Sequence, residues 1–191
     1  MVRGGSKGRK KSLLRDLSHE RLAPEDFDAF VKETMGSSDR ACALVCCSFI
    51  ENILKDLIET HMRSDWPSLT DAVFDGVTAP LRSFSSRITI AYAMNIIDNP
   101  TMAALNAIRN IRNVFAHSEK HRTFDHELIA KEVAILKKLK YIIPDADPRR
   151  RYIAACVLTG AALGAEIGRR TKNHAMVKAL MAHAKRSSPD K

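Results

Sequence analysis

Leu105-Asn106-Ala107-Ile108-Arg109-Asn110-Ile111-Arg112-Asn113-Val114-Phe115-Ala116-His117 is the stretch that decides the fold. Leu105, Ile108, Ile111, Val114 and Phe115 recur at helical spacing and define one buried stripe of an amphipathic helix. Arg109, Arg112, Asn113 and His117 stand against that stripe. Asn113 and His117 are four apart and lie nearly one above the other. Arg112 precedes His117 by five residues, about 140° round the axis at 3.6 residues per turn. One straight helix therefore does not aim both side chains at a single small target. A second copy of the helix, or a bend near its end, would bring them together.

The helical period continues on both sides. Upstream, Ser37 or Ser38 is placed to cap a long helix from about Asp39 to Met62. Leu44, Val45, Phe49, Ile50, Ile53, Leu54, Leu57 and Ile58 repeat along it, and Ala41, Ala43, Cys46 and Cys47 make its first half apolar nearly all round. This is expected to be the central helix. Before it, Pro24 suits a first helical turn followed by Glu25, Asp26 and Asp28, with Phe27, Phe30 and Val31 facing inward and Gly36 closing the helix. Leu13 to Leu22 reads as a short helix. A further short helix is expected around Ser68–Phe74. Ser83 or Ser85 opens a helix through Ile97, with Ile88, Ala91, Tyr92 and Met94–Ile97 inside, and Asp98-Asn99-Pro100 ends it.

Downstream, Asp125 can cap a helix to about Tyr141 with Leu128, Ile129, Val133, Leu136 and Leu139 inward, and Glu132 as surface support. Pro144 and Pro148 bracket a linker, and Arg149 opens a last long helix. In it Gly160, Gly164 and Gly168 fall at four-residue intervals beside Ala155, Ala161 and Ala165. Such spacing permits close helix contact, within the same domain or with a second subunit. Helical periods throughout, with sparse Gly and Pro, give an all-α helical bundle with a long central helix and an added C-terminal helix.

Composition narrows the function. The 191 residues are 45% hydrophobic and 28% charged, as in a soluble globular protein, and suit one domain with a real core. Aromatics at 6% disfavour a surface that stacks single-stranded bases. The net charge of +9 is unevenly spread: residues 1–15 hold six Lys or Arg and no acid, 149–151 are three Arg, and 169–191 hold seven basic residues and Asp190. The middle, 16–148, has 15 basic and 20 acidic residues and is net negative. The basic termini can make nonspecific nucleic-acid contact or act as solvated tails. Residues 1–11, with three Gly and five basic residues, read as a disordered tail, and Ser187–Lys191 as a fraying end.

The four cysteines lack CxxC or finger spacing, and Cys42, Cys46 and Cys47 read as small core residues of a reduced compartment. No metal and no cofactor are expected: there is no tetrahedral ligand set, Gly-rich phosphate loop, GxSxG or paired-carboxylate motif. His121 and His126 read as a solvated loop and first turn. The last apolar run, Tyr152 to Ala165, is too short and Gly-rich for a membrane span. Without a secretory h-region the expected location is the cytoplasm.

Four segments together carry a resemblance. Arg112-Asn113 followed by Ala116-His117 resembles the Arg…His signature of the HEPN superfamily. Ser38-Asp39-Arg40-Ala41-Cys42-Ala43-Leu44-Val45 with Phe49-Ile50-Glu51, then Pro80-Leu81-Arg82-Ser83-Phe84-Ser85-Ser86-Arg87-Ile88, then Ala91-Tyr92-Ala93 resemble the mannitol operon repressor family, over roughly residues 37–141. The family usually has Gly where this chain has Arg82, and Lys where it has Arg87. The resemblance implies a HEPN-like domain at 12–145, between the tail at 1–11 and a C-terminal helical extension with a basic tail at 146–191. It implies a homodimer and a transcription-linked repressor role. No helix-turn-helix is evident, so that role points to a protein or RNA partner rather than base readout in a major groove.

Two uses of the residues follow. In a binding module, Arg109, Arg112, Asn113 and His117, with Arg40 and Glu51 from the central helix, form the binding region. In a metal-independent endoribonuclease resembling HEPN enzymes, His117 is general base on a ribose 2′-OH and Arg112 steadies charge on the phosphorus. Asn113 then holds the imidazole or a phosphate oxygen. Histidine suits proton transfer near neutrality, and the planar arginine fork suits phosphate oxygens. The bland reading of the same residues is that Arg112 and His117 cap carbonyls or pair with acids.

Overall fold

The computed structural model describes residues 20–63, 66, 68–139 and 146–187. The tail at 1–11, most of the helix expected over 13–22, the linker at Pro144 and residues 188–191 lie outside the described residues. Those described form an all-α bundle of six helices. They are α1 (Phe27–Gly36), α2 (Asp39–Glu59), α3 (Phe84–Ala93), α4 (Asn99–His117), α5 (Glu127–Ile135) and α6 (Pro148–Ser187).

α2 is the axis. Its start is fixed by the Ser38 hydroxyl, which accepts from the Ala41 N–H at 3.2 Å. Cys42, Ala43, Cys46, Cys47, Ile50, Leu54 and Leu57 are all fully buried along it. α6 lies on one side of this ridge and α4 on another, with α1 and α3 completing the enclosure. Close approach of α6 is possible because Gly160 has no side chain: a Cβ there would sit 2.6 Å from Cε1 of Phe49. Gly164 and Gly168, one and two turns on, face open space. Tyr152, wholly buried, donates its hydroxyl to the Ala43 carbonyl at 3.0 Å. Its ring continues a chain of aromatics, 5.1 Å from Phe124, which is 4.9 Å from Phe115 of α4. Each of these large side chains contributes roughly 1.5–3 kcal/mol by leaving water.

α4 starts where the Asp98 carboxylate accepts from Thr101 N–H at 2.9 Å, with Pro100 in the first turn. Leu105, Ile108, Ile111 and Phe115 are buried, as the period requires. Val114 is 43% exposed, so the stripe is narrower than expected.

Several boundaries differ from expectation. α2 ends at Glu59, followed by turns to Met62. The helix expected around Ser68–Phe74 is present at 69–75 and widens over Asp71–Asp75, where Gly76 N–H donates to the Asp71 carbonyl. α3 stops at Ala93, because Asn95 takes a left-handed backbone (φ 54°) that no helix continues. Tyr92 and Met94 are consequently exposed, while Ile97 folds back into the core. α5 starts after His126 rather than Asp125, and past Ile135 tightens into a short turn, Leu136–Lys138. Val45 and Leu128, both placed inside by period alone, are exposed. Gly36 is the last residue of α1 and has no left-handed backbone. The closing device is Arg149 of α6, which donates to the carbonyls of Thr34, Met35 and Ser37 and pairs with Asp39 at 2.9 Å. One guanidinium thus satisfies the orphan carbonyls of α1 and ties α6 to the start of α2.

All four cysteines are free and buried. No helix among the described residues is long and apolar enough to cross a membrane.

Candidate functional site

Midway along α2, Glu51 projects between α3 and α4. Its two carboxylate oxygens take different arginines: Arg87 Nη1 donates to Oε1 at 3.2 Å, and Arg112 Nη2 to Oε2 at 3.5 Å. The two partners are not equivalent. The Arg87 side chain is 9% exposed and that of Arg112 is 31% exposed. Arg87 also donates to the carbonyls of Leu81 at 2.8 Å and Arg82 at 3.4 Å, which fastens the chain before α3. Its guanidinium lies 5.5 Å from the Phe74 ring centre, and Lys55 Nζ lies 5.3 Å from the same ring. Lys55 in turn pairs with Asp75 at 3.3 Å. Burial lowers the pKa of Arg87, and the nearby Glu51 and Asp75 charges oppose that effect.

Beneath this cluster lies Cys47, one turn before Glu51. Burial raises its thiol pKa to about 11, against the neighbouring Arg112 guanidinium, which lowers it. Arg112 completes its contacts by donating to the Asn113 side-chain oxygen at 3.2 Å. The residues brought together are therefore Glu51, Arg112 and Asn113, with Arg87 as a fourth member.

The remaining candidates stand apart. Arg40 donates to the Ser118 carbonyl at 2.6 Å and reaches Lys120 at 3.5 Å, closing the end of α4. Arg109 donates to Asn110 at 3.2 Å, and Asn110 to Glu132 at 2.9 Å. Glu132, expected to give only surface support on its own helix, thus joins α5 to α4. His117 is the last residue of α4, exposed and without a hydrogen bond among the described residues. Arg112 and His117 share no partner among the described residues. His126 is half-buried rather than solvated, and its Nδ1 is shielded from water.

The role of Arg87 was not visible in the residues alone. It stands in the Pro80–Ile88 segment, but nothing in its spacing links it to Glu51, 36 residues earlier. No group of three or more His, Cys, Asp or Glu among the described residues is arranged to hold a metal ion. A cleft of about 430 Å³ lies elsewhere, between the chain at Glu20–Leu22, α1 and α2. It is lined by Phe30, Val45, Phe49 and Ile53, with Asp56 held by Arg21 at 2.6 and 2.7 Å. It contains none of the residues singled out above.

Compared with protein-family models, curated proteins and solved structures, the chain gives no match.

Chemically, the cluster holds one carboxylate between two guanidiniums. Arg112 keeps part of its fork at the surface, where it can meet an anion. Among the described residues its charged contact is Glu51, which Arg87 also holds.

Proposed function

We propose that this chain is a non-enzymatic regulatory binding protein of the mannitol operon repressor type. In this reading it is a cytoplasmic homodimer that acts on transcription through a protein or RNA partner and does not read bases in duplex DNA. The observation that carries the reading is the shared Glu51 carboxylate. It holds Arg112 within the bundle, on a flank of α4 from which His117 diverges. The arginine is thereby a structural tie with a solvent-facing edge, which suits recognition of a partner's charge better than chemistry in concert with His117. The net-negative middle supports the second half of the reading, since 20 acidic against 15 basic residues over 16–148 disfavour approach to duplex phosphates.

Gel shifts of the full chain at several salt concentrations test this. The expected result is duplex DNA binding that is indifferent to sequence and falls steeply with salt, as basic termini alone would give. Sequence-selective duplex binding that survives competitor DNA would overturn the proposal.

One observation favours a second reading. His117 is exposed at the end of α4 and its side chain has no partner among the described residues, as suits a proton-transfer group. The alternative is a metal-independent endoribonuclease using Arg112, Asn113 and His117, with Arg112 released from Glu51 on binding RNA. Because Arg87 would remain on Glu51, that release would not strand a bare carboxylate.

A further inference from the structure

On the flank of α4 turned away from Glu51, a cavity of about 260 Å³ opens between α4, the 118–126 connection and α5. Ile111 and Ile129 form its buried floor. Val114 and Leu128, 43% and 68% exposed, form its walls. No described segment covers them, so apolar surface stands in water beside a hollow.

The two ends of the cavity differ in charge. At one end Asn110 donates to Glu132 at 2.9 Å, so that both groups have a partner. The other lies six residues before Glu132, about 9 Å along the axis of α5, at its capping residue His126, and Arg122 of the connection also lines the cavity. Arg122 is half-buried and has no hydrogen bond or ion pair among the described residues. His126 Nδ1 is shielded from solvent and has no hydrogen-bond partner among the described residues. His126 also occupies the capping position of α5 without making a side-chain cap bond, so the first amides of that helix lack a side-chain acceptor. The nearby acids do not fill this end. Asp125 and Glu127 are exposed, and Glu127 is held by Lys131 at 2.6 Å.

With Glu132 already held by Asn110, an apolar floor beside the Arg122 guanidinium, unpaired among the described residues, selects a ligand with an apolar body and an acidic end. We propose that this cavity binds a small amphipathic monocarboxylate, with its apolar body over Ile111, Val114, Leu128 and Ile129 and its carboxylate on Arg122. The carboxylate accepts from the Arg122 guanidinium. The volume of about 260 Å³ lies just below the usual range for small-molecule sites, roughly 300–1,000 Å³, and therefore suits an acid of medium chain length or shorter. The cavity shares no residue with the Glu51 cluster, so this site stands or falls independently of the regulatory reading.

The test is an NMR titration of the full ¹⁵N-labelled chain with sodium octanoate and, in parallel, 1-octanol, which has the same body without the charge. Octanoate is expected to give saturable shifts in residues 110–114 and 122–132, with an affinity at least about ten-fold above that of octanol, as charge-assisted hydrogen bonds imply. Arg122→Gln should lower octanoate affinity by about ten-fold and leave octanol unchanged. Leu128→Ser, at an exposed position, should weaken both. Equal affinity for acid and alcohol, shifts that map to the cleft at Phe30 and Phe49, or no saturable shift would overturn the proposal.

Discussion

Replacing Glu51 with Gln keeps the shape of the side chain and removes the charge that two arginines share. The cost can be worked from the geometry. Removing one member of a fully buried ion pair costs about 3–5 kcal/mol. Here the Glu51 side chain is 18% exposed, and Arg87 keeps the Leu81 and Arg82 carbonyls and the face of Phe74. Those contacts bring the Arg87 share down to about 2 kcal/mol. Arg112, at 3.5 Å and 31% exposed, is screened by water and adds about 0.5 kcal/mol. The total is roughly 2–3 kcal/mol, equivalent to a fall of about 5–10 °C in Tm for a chain of this size. Urea denaturation of Glu51→Gln, Arg87→Gln, Arg112→Gln and the two double variants isolates each pair. The Glu51–Arg87 coupling should exceed 1 kcal/mol and the Glu51–Arg112 coupling should stay below about 1 kcal/mol. A larger coupling to Arg112 than to Arg87, or a loss in Glu51→Gln below about 0.5 kcal/mol, would refute the assignment of Arg87 as the principal partner.

Other perturbations read other parts of the bundle. Gly160→Ala puts a Cβ 2.6 Å from the Phe49 ring and should destabilise by about 1–2 kcal/mol, whereas Gly164→Ala, in open space, should stabilise by about 0.5–1 kcal/mol; equal effects in thermal melts would contradict the α2–α6 contact. The thiols of Cys42, Cys46, Cys47 and Cys156 are buried with raised pKa values, so a disulfide reagent at pH 8 should label the native protein only as fast as it unfolds, and all four in denaturant. A rapid labelling phase before unfolding would count against that core. Burial raises the Glu59 pKa above its unfolded value despite Lys55, so its contribution to stability is present at low pH and is lost as pH rises through the folded value. Glu59→Gln, a permanently neutral stand-in, should therefore raise Tm at pH 7, with the gain vanishing below about pH 4; an unchanged gain across that range would oppose this account.

What the residues revealed in advance was local. The period of Leu105, Ile108, Ile111 and Phe115 found α4, and serines 38 and 83 marked the starts of α2 and α3 because a cap acts over three residues. The end of α3 was misread because Met94, Ile96 and Ile97 continue an apolar period. The left-handed turn at Asn95 that redirects them leaves no mark in hydropathy. Leu128 shows the same limit: a helical period says which residues share a face, and only the neighbouring helices decide whether that face is covered. The charged contacts were less legible still. Glu51 meets Arg87 and Arg112 across 36 and 61 residues, and Arg149 reaches Thr34 across 115, separations that only the packing of the bundle closes. The residues alone place Glu51 in one region with Arg112, but not Arg87 as its more buried partner, nor the reach of Arg149.

The most direct test of the central claim, that Arg112 is tied to Glu51 and does not act together with His117, is a cleavage assay. Pure full-length protein is incubated with a broad RNA pool in EDTA, beside Arg112→Ala and His117→Ala. The account predicts no cleavage above background in any of the three. EDTA-resistant cleavage by wild type that disappears in both variants, each still folded, would contradict it.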